Sequence, residues 1–175
     1  MEEREIEAVV REVLLRKTDG AVPQNRLVAA NGGLVQTSMP LALALKLIEK
    51  VEAKAAERNM RVVVAVSDAS ARPVAVHCMD GAYIGSYDVA LNKTYTSIAF
   101  QMSTARLGAL SQPGESLYGI QFTNEGRIVI FGGGEVLKQG GAIVGALGVS
   151  GGSAEQDTEL AAYGKSVFEA SSPNG

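Results

Sequence analysis

The sequence predicts an α+β sandwich: an antiparallel sheet of about five strands with helices on its faces. Three observations carry this. Short apolar runs face one another across turn residues within residues 62–79 and again within residues 135–149, as the arms of hairpins do. Segments with helical spacing of apolar side chains stand before, between and after these hairpins. The chain has 175 residues, enough for one domain with a substantial core.

Residues 2–17 have the spacing of an amphipathic helix. Ile6, Val9, Val10, Val13 and Leu14 form one apolar stripe. Glutamates crowd the first turn and Arg16-Lys17 the last, which complements the helix dipole. Residues 18–36 read as linker and lead-in, with Asp19-Gly20, Pro23 and Asn31-Gly32-Gly33 as breakers. The stripe has two readings: a helix packed on its own domain, or a docking peptide for another protein.

Residues 37–170 form the main domain. Thr37 or Ser38 can cap a helix that carries Pro40 in its first turn and runs to about Arg58. Leu41, Ala44, Leu45, Ile48, Val51 and Ala55 line its apolar face. Residues 62–66 are all apolar and read as a buried strand, with residues 73–79 as the antiparallel partner. One helix is expected over residues 87–107, stopped by Gly108. Residues 117–127 resist assignment. Ile128-Val129-Ile130-Phe131 is strand-like, and a hairpin follows across Gln139-Gly140-Gly141. Ser153 and Gln156 have the spacing of a capping box for a last helix. Residues 171–175 are a tail.

Composition narrows the function classes. A net charge of −3 and the lack of a basic stripe with interleaved aromatics argue against nucleic acid as a partner. No apolar run is long enough to span a bilayer, and the acidic start is unlike a signal peptide. The single cysteine cannot form an internal disulfide. A cytoplasmic protein is expected.

Few constellations carry chemistry. His77, Cys78 and Asp80 are neighbours, but strand alternation sends His77 and Cys78 to opposite faces, which disfavours both a zinc site and a Cys-His dyad. Gly132-Gly133-Gly134-Glu135 lacks the ending of a phosphate loop and reads as a bend into the hairpin. Gly151-Gly152 before a helix start is either an anion-binding place or turn geometry alone. His77 has three readings: a hydrogen-bonded surface histidine, an axial ligand to haem iron, or the lining of a pocket. Met102, Thr104 and Tyr83 are weaker candidate ligands. Asp80, Asp88 and Lys93 are polar candidates with structural alternatives: turn chemistry, a helix start, and a long stem covering the surface. No catalytic residue emerges.

The order of elements and several motifs resemble the GlcG/HbpS-like haem-binding family, which includes the C-terminal domain of PduO-type cobalamin adenosyltransferases. The matching pieces are Val66-Ser67-Asp68, His77-Cys78-Met79-Asp80-Gly81-Ala82, Ser86, Ala90, Asn92-Lys93, Tyr95-Thr96, Gly132-Gly133-Gly134, Gly140-Gly141 and the run Val144 through Gly152. The resemblance implies a profilin-like sandwich and a homo-oligomer. It implies a tetrapyrrole cofactor, haem or a corrinoid, near His77, Thr104, Tyr83, Met102, Asp80 and Lys93, with His77 or Thr104 as the iron ligand. One departure is clear. Many relatives carry arginine after the histidine, and this chain carries Cys78, so an anionic propionate loses that partner. The stripe Ile6, Val9, Val10, Val13, Leu14 is similar to encapsulation peptides that send enzymes into bacterial microcompartments, which would make a shell protein a partner.

These readings leave three function classes: a tetrapyrrole-binding accessory protein, with microcompartment cargo as its finer form; a structural module that docks through its first helix and binds no cofactor; and an enzyme acting on haem or a cobalamin.

Overall fold

The computed structural model describes residues 38–171. The expected helix over residues 2–17, the linker, the Asn31-Gly32-Gly33 turn and all but the first residue of the tail lie outside these.

Helix α1 spans Leu41–Glu57 and buries Ala44, Leu47, Ile48, Val51 and Ala55. That spacing makes one stripe. Leu41, expected to face inward, is 56% exposed, and Leu47 takes its place. The stripe is centred on Ala44, Val51 and Ala55, and Leu41 lies to one side of it in the first turn. The helix starts from Pro40 in extended conformation with no side-chain cap, so Ser38 does not cap it. Instead the chain enters beside the sheet, with Met39 N–H donating to Val144 O at 3.0 Å.

Strands β1 (Val63–Asp68) and β2 (Pro73–Cys78) form the first hairpin, and β3 (Gly134–Gln139) and β4 (Ala142–Ser150) the second. The sheet order is β2-β1-β4-β3, and every pair is antiparallel. Every residue of β1 is buried because both its faces are covered. Val64 and Val66 pack with α1 and with α4 (Ala154–Ser171), while Val63 and Ala65 pack with Ala90 of α2 (Ser86–Phe100). The result is the expected sandwich, with α1 and α4 on one face and α2 on the other.

The first turn is built by Asp68, whose Oδ1 accepts from Ser70 N (2.8 Å) and Arg72 N (3.0 Å). In the second, Gly140 and Gly141 both have positive φ, 56° and 80°, as a two-residue hairpin loop of the primed type requires. The capping box forms: Gln156 N donates to Ser153 Oγ at 3.3 Å, and Ser153 N to Gln156 Oε1 at 2.9 Å.

Two further expectations are corrected. The helix over residues 87–107 is two helices, α2 and the seven-residue α3 (Thr104–Leu110). Gln101 turns left-handed at φ 54° and Ser103 caps α3 by accepting from Arg106 N. The sheet has four strands among the described residues, because Ile128-Phe131 does not join it. Val129 N–H donates instead to Thr96 Oγ1 of α2 (3.0 Å), and Ile130 O lies so near Gly108 that a Cβ there would stand 2.1 Å away. The run is spent on the helices, and β3 begins only after Gly133 turns at φ 107°.

Candidate functional site

His77 lies on edge strand β2, opposite Val64, and so faces the side of the sheet that α1 covers. There its Nδ1 stands 3.3 Å from both carboxylate oxygens of Glu52. The imidazole is 38% exposed and the Glu52 side chain 24%. No described residue hydrogen-bonds Nε2. Cys78 is exposed and, by alternation, belongs to the opposite face.

The segment after His77 projects apolar surface. Asp80 is exposed next to Gly81, which turns at φ 85°. Tyr83 and Ile84 follow at 75% and 95% exposure, ahead of α2. Asp88 is exposed in the first turn of α2.

Thr104 sits elsewhere. It opens α3, is fully buried, and accepts from Gly134 N at 2.9 Å through Oγ1. Gly134 begins β3, at the sheet edge opposite β2. Three strand spacings, roughly 14 Å, separate the two edges. His77 and Thr104 of one chain therefore do not meet on one metal. Met102 is half-buried in the break between α2 and α3.

Lys93 does not cover the surface. It is among the largest fully buried side chains of the described residues, and its ammonium donates to Asp157 Oδ2 (2.8 Å) and Val149 O (2.6 Å) beneath the Phe131 ring, 5.0 Å from its centroid. Burial pushes its pKa down from the usual lysine value, and Asp157 opposes that shift. Asp157 Oδ1 also accepts from Gly152 N at 2.9 Å. The glycines before α4 thus already hold an acceptor of the chain's own, which supports turn geometry over anion binding at that place. Lys93 acts as a strut under the three-glycine bend, since a Cβ at Gly133 would meet its Nζ at 2.6 Å.

Among the described residues no group of three or more His, Cys, Asp or Glu could hold a metal ion. A groove of about 220 Å³ lies between α1 and α4, where Leu43, Leu47, Val167 and Phe168 line it together with the charged Lys46, Glu49 and Lys50. It is smaller than usual cofactor pockets of roughly 300–1,000 Å³ and contains no histidine. No described helix is long and apolar enough to cross a membrane.

Sequence reasoning did not find Glu52 or Asp157. Each lies far along the chain from its partner, 25 and 64 positions respectively. The usable signal for Glu52 is its place beside Val51, at the border of a buried stripe, where a carboxylate needs a donor.

Residues 39–165 match the family model for haem degrading protein HbpS-like. A 15.0 kDa protein from the dhaT-dhaS intergenic region of Citrobacter freundii is 46% identical over 124 residues, covering 71% of this chain and 87% of that one. The corrinoid adenosyltransferase PduO of Salmonella typhimurium is 33% identical over 144 residues; these cover 80% of this chain but only 43% of that longer protein. Among solved structures, the complex of PduOC with haem superposes with a TM-score of 0.71 at 32% identity, covering 74% of this chain and 94% of that one. With the family model spanning residues 39–165, most of the described fold, and with a solved relative superposing at a TM-score of 0.71, the chain belongs to the HbpS-like family.

Proposed function

We propose that this chain is a tetrapyrrole-binding protein, with haem as the cofactor and His77 as the iron's axial ligand. The observation that carries the reading is the state of His77: half-exposed on a sheet edge, one ring nitrogen engaged by Glu52 and the other without a partner among the described residues. Imidazole in that condition is a ready ligand for haem iron. The haem complex of PduOC, a relative of the same fold, supports the cofactor class. The likeness to PduO makes a corrinoid the neighbouring alternative, with the same nitrogen available to cobalt. Bound haem would supply redox-active iron; the chain would supply the ligand and its orientation. Thr104 is the weaker ligand candidate, because its hydroxyl already supports Gly134 inside the core.

Haemin titration followed at the Soret band, with wild type beside His77→Ala and Thr104→Ala, tests this. A saturable one-to-one shift lost in His77→Ala is expected. A saturable shift kept by His77→Ala would remove His77 from the role, and a non-saturating response would remove the cofactor.

A second reading concerns the segment before the described fold, where Ile6, Val9, Val10, Val13 and Leu14 have the sequence spacing of an apolar helical stripe. It would dock a homo-oligomeric globule on a microcompartment shell protein. Co-sedimentation with shell protein should then be lost in the Val9→Asp, Val13→Asp double variant; undiminished co-sedimentation would sink this reading.

A further inference from the structure

From the contact between α1 and β2 we infer that Glu52 is the positioning residue for His77, holding the ring in the tautomer that keeps Nε2 free for a metal. The inference rests on the haem reading for its purpose but on its own geometry for its content. A carboxylate only accepts hydrogen bonds, so an Nδ1 that bonds to it must carry the proton. Nδ1 lies 3.3 Å from both oxygens, which aims the N–H between them rather than past one. With the proton on Nδ1, the neutral ring has its lone pair on Nε2, which no described residue occupies.

The support is rigid. Glu52 is flanked by the buried Val51 and stands one turn from buried Ala55, so α1 fixes the carboxylate against the sheet. His77 is paired with Val64, itself fully buried. A free imidazole would choose its own tautomer and ring angle, and here both are imposed. A carboxylate behind a ligating histidine also makes the ring a stronger donor, which favours the more oxidised metal.

The chain contains one histidine, so its imidazole can be read directly without any ligand. Two-bond ¹⁵N–¹H correlation spectra of the cofactor-free protein, taken at the alkaline end of a pH series where the ring nitrogen shifts no longer change, should show the Nδ1–H tautomer in wild type. Glu52→Ala should shift the ring toward Nε2–H, and Glu52→Gln, whose amide oxygen can still accept, should keep much of the Nδ1–H form. An Nε2–H ring in wild type, or an Nδ1–H ring unchanged in Glu52→Ala, would overturn the inference whatever haem does. Unfolding curves of the variants confirm that the fold is intact, since Glu52 is outside the core.

Haemin binding then separates the two claims. Glu52→Ala is expected to weaken it by about 10–100-fold, and Glu52→Gln to move the iron midpoint potential in the positive direction. Unchanged affinity and potential in both variants, with binding lost in His77→Ala, would overturn the role of Glu52 alone. Binding that survives His77→Ala would overturn the haem reading, while the tautomer result would still decide the geometry.

Discussion

Lys93 and Asp157 meet in the interior, ammonium to carboxylate at 2.8 Å, with side-chain exposures of 0% and 3%. The pair joins α2 to α4, and through Val149 O and Gly152 N it also fixes the end of β4 and the start of the last helix. Removing one partner strands the other charge out of water. Lys93→Ala or Asp157→Ala should therefore each cost about 3–5 kcal/mol, far more than an exposed ion pair. Urea unfolding of the single and double variants is the measurement, and a double variant less damaged than the sum would confirm the coupling.

The same lysine gives a pH dependence with a definite sign. Burial sets its native pKa below the ordinary 10.5. Between the native value and 10.5 the unfolded chain binds more protons than the native one, so stability rises with pH in that interval. Wild type should gain stability relative to Lys93→Met as pH climbs towards 10.5. Parallel stability curves for the two proteins would refute it.

Thr104 can be tested as a support for the bend. Its hydroxyl is the acceptor for the buried Gly134 N–H. Thr104→Val keeps the shape and orphans that donor, so about 1–3 kcal/mol should be lost. Thr104→Ser keeps the acceptor and should lose about 1 kcal/mol, the scale of a deleted methyl group. Equal stabilities of Thr104→Val and wild type in thermal unfolding would show that the hydrogen bond contributes nothing.

Glycine separates two kinds of position. A Cβ at Gly148 would stand 2.1 Å from Ala90 O, where α2 rests on β4. Backbone on both sides cannot yield cheaply, so Gly148→Ala should destabilise by at least 1–3 kcal/mol, roughly the range for overpacking. Gly85 has φ −65° and open space around its missing Cβ. Gly85→Ala should be neutral or stabilising by about 0.4–1 kcal/mol. Differential scanning calorimetry of the two variants should show opposite or very unequal shifts.

Asp68 supplies an acid-side test. Burial pushes its carboxyl up, but the Arg72 and Ser70 amides and the Arg72 guanidinium outweigh that and leave it below the usual 3.8. Its stabilising effect is present above 3.8 and fades as pH falls through the lower native value. The gap in stability between wild type and Asp68→Asn should thus be widest near neutrality and close in acid; a constant gap from pH 7 to pH 2 would contradict the assignment.

What was legible in the sequence follows the range of the interaction. The capping box, the Gly140-Gly141 loop and the buried β1 are local patterns, and the chain forms them where the residues say. The break in the long helix was hidden because Gln101 is an ordinary helix residue; its left-handed turn follows from the capping of α3 by Ser103. Ile128-Phe131 has strand composition, but Thr96 takes the Val129 amide and the run packs closely on Gly108 of α3. At the candidate site, the opposite faces of His77 and Cys78 follow from alternation alone. Glu52 and Asp157 could not be named, since no spacing rule connects a helix residue to a partner 25 or 64 positions away.

The pairing of β1 with β4, from Val63↔Ser150 to Asp68↔Gly145, has a consequence for biosynthesis. A nascent chain that has just delivered Asp68 must lengthen by about 80 residues before Ser150 exists to meet Val63. At 5–20 residues per second the delay is roughly 4–16 s. Throughout it, a strand of six residues buried in the finished protein has one edge without its partner. The hairpin turn at Asp68 and the return of β2 shelter the other edge from the start. Release from the ribosome before β4 has emerged would leave a sticky half-sheet, so truncations ending between residues 110 and 142 should be degraded or captured by chaperones, whereas the full chain closes its own seam.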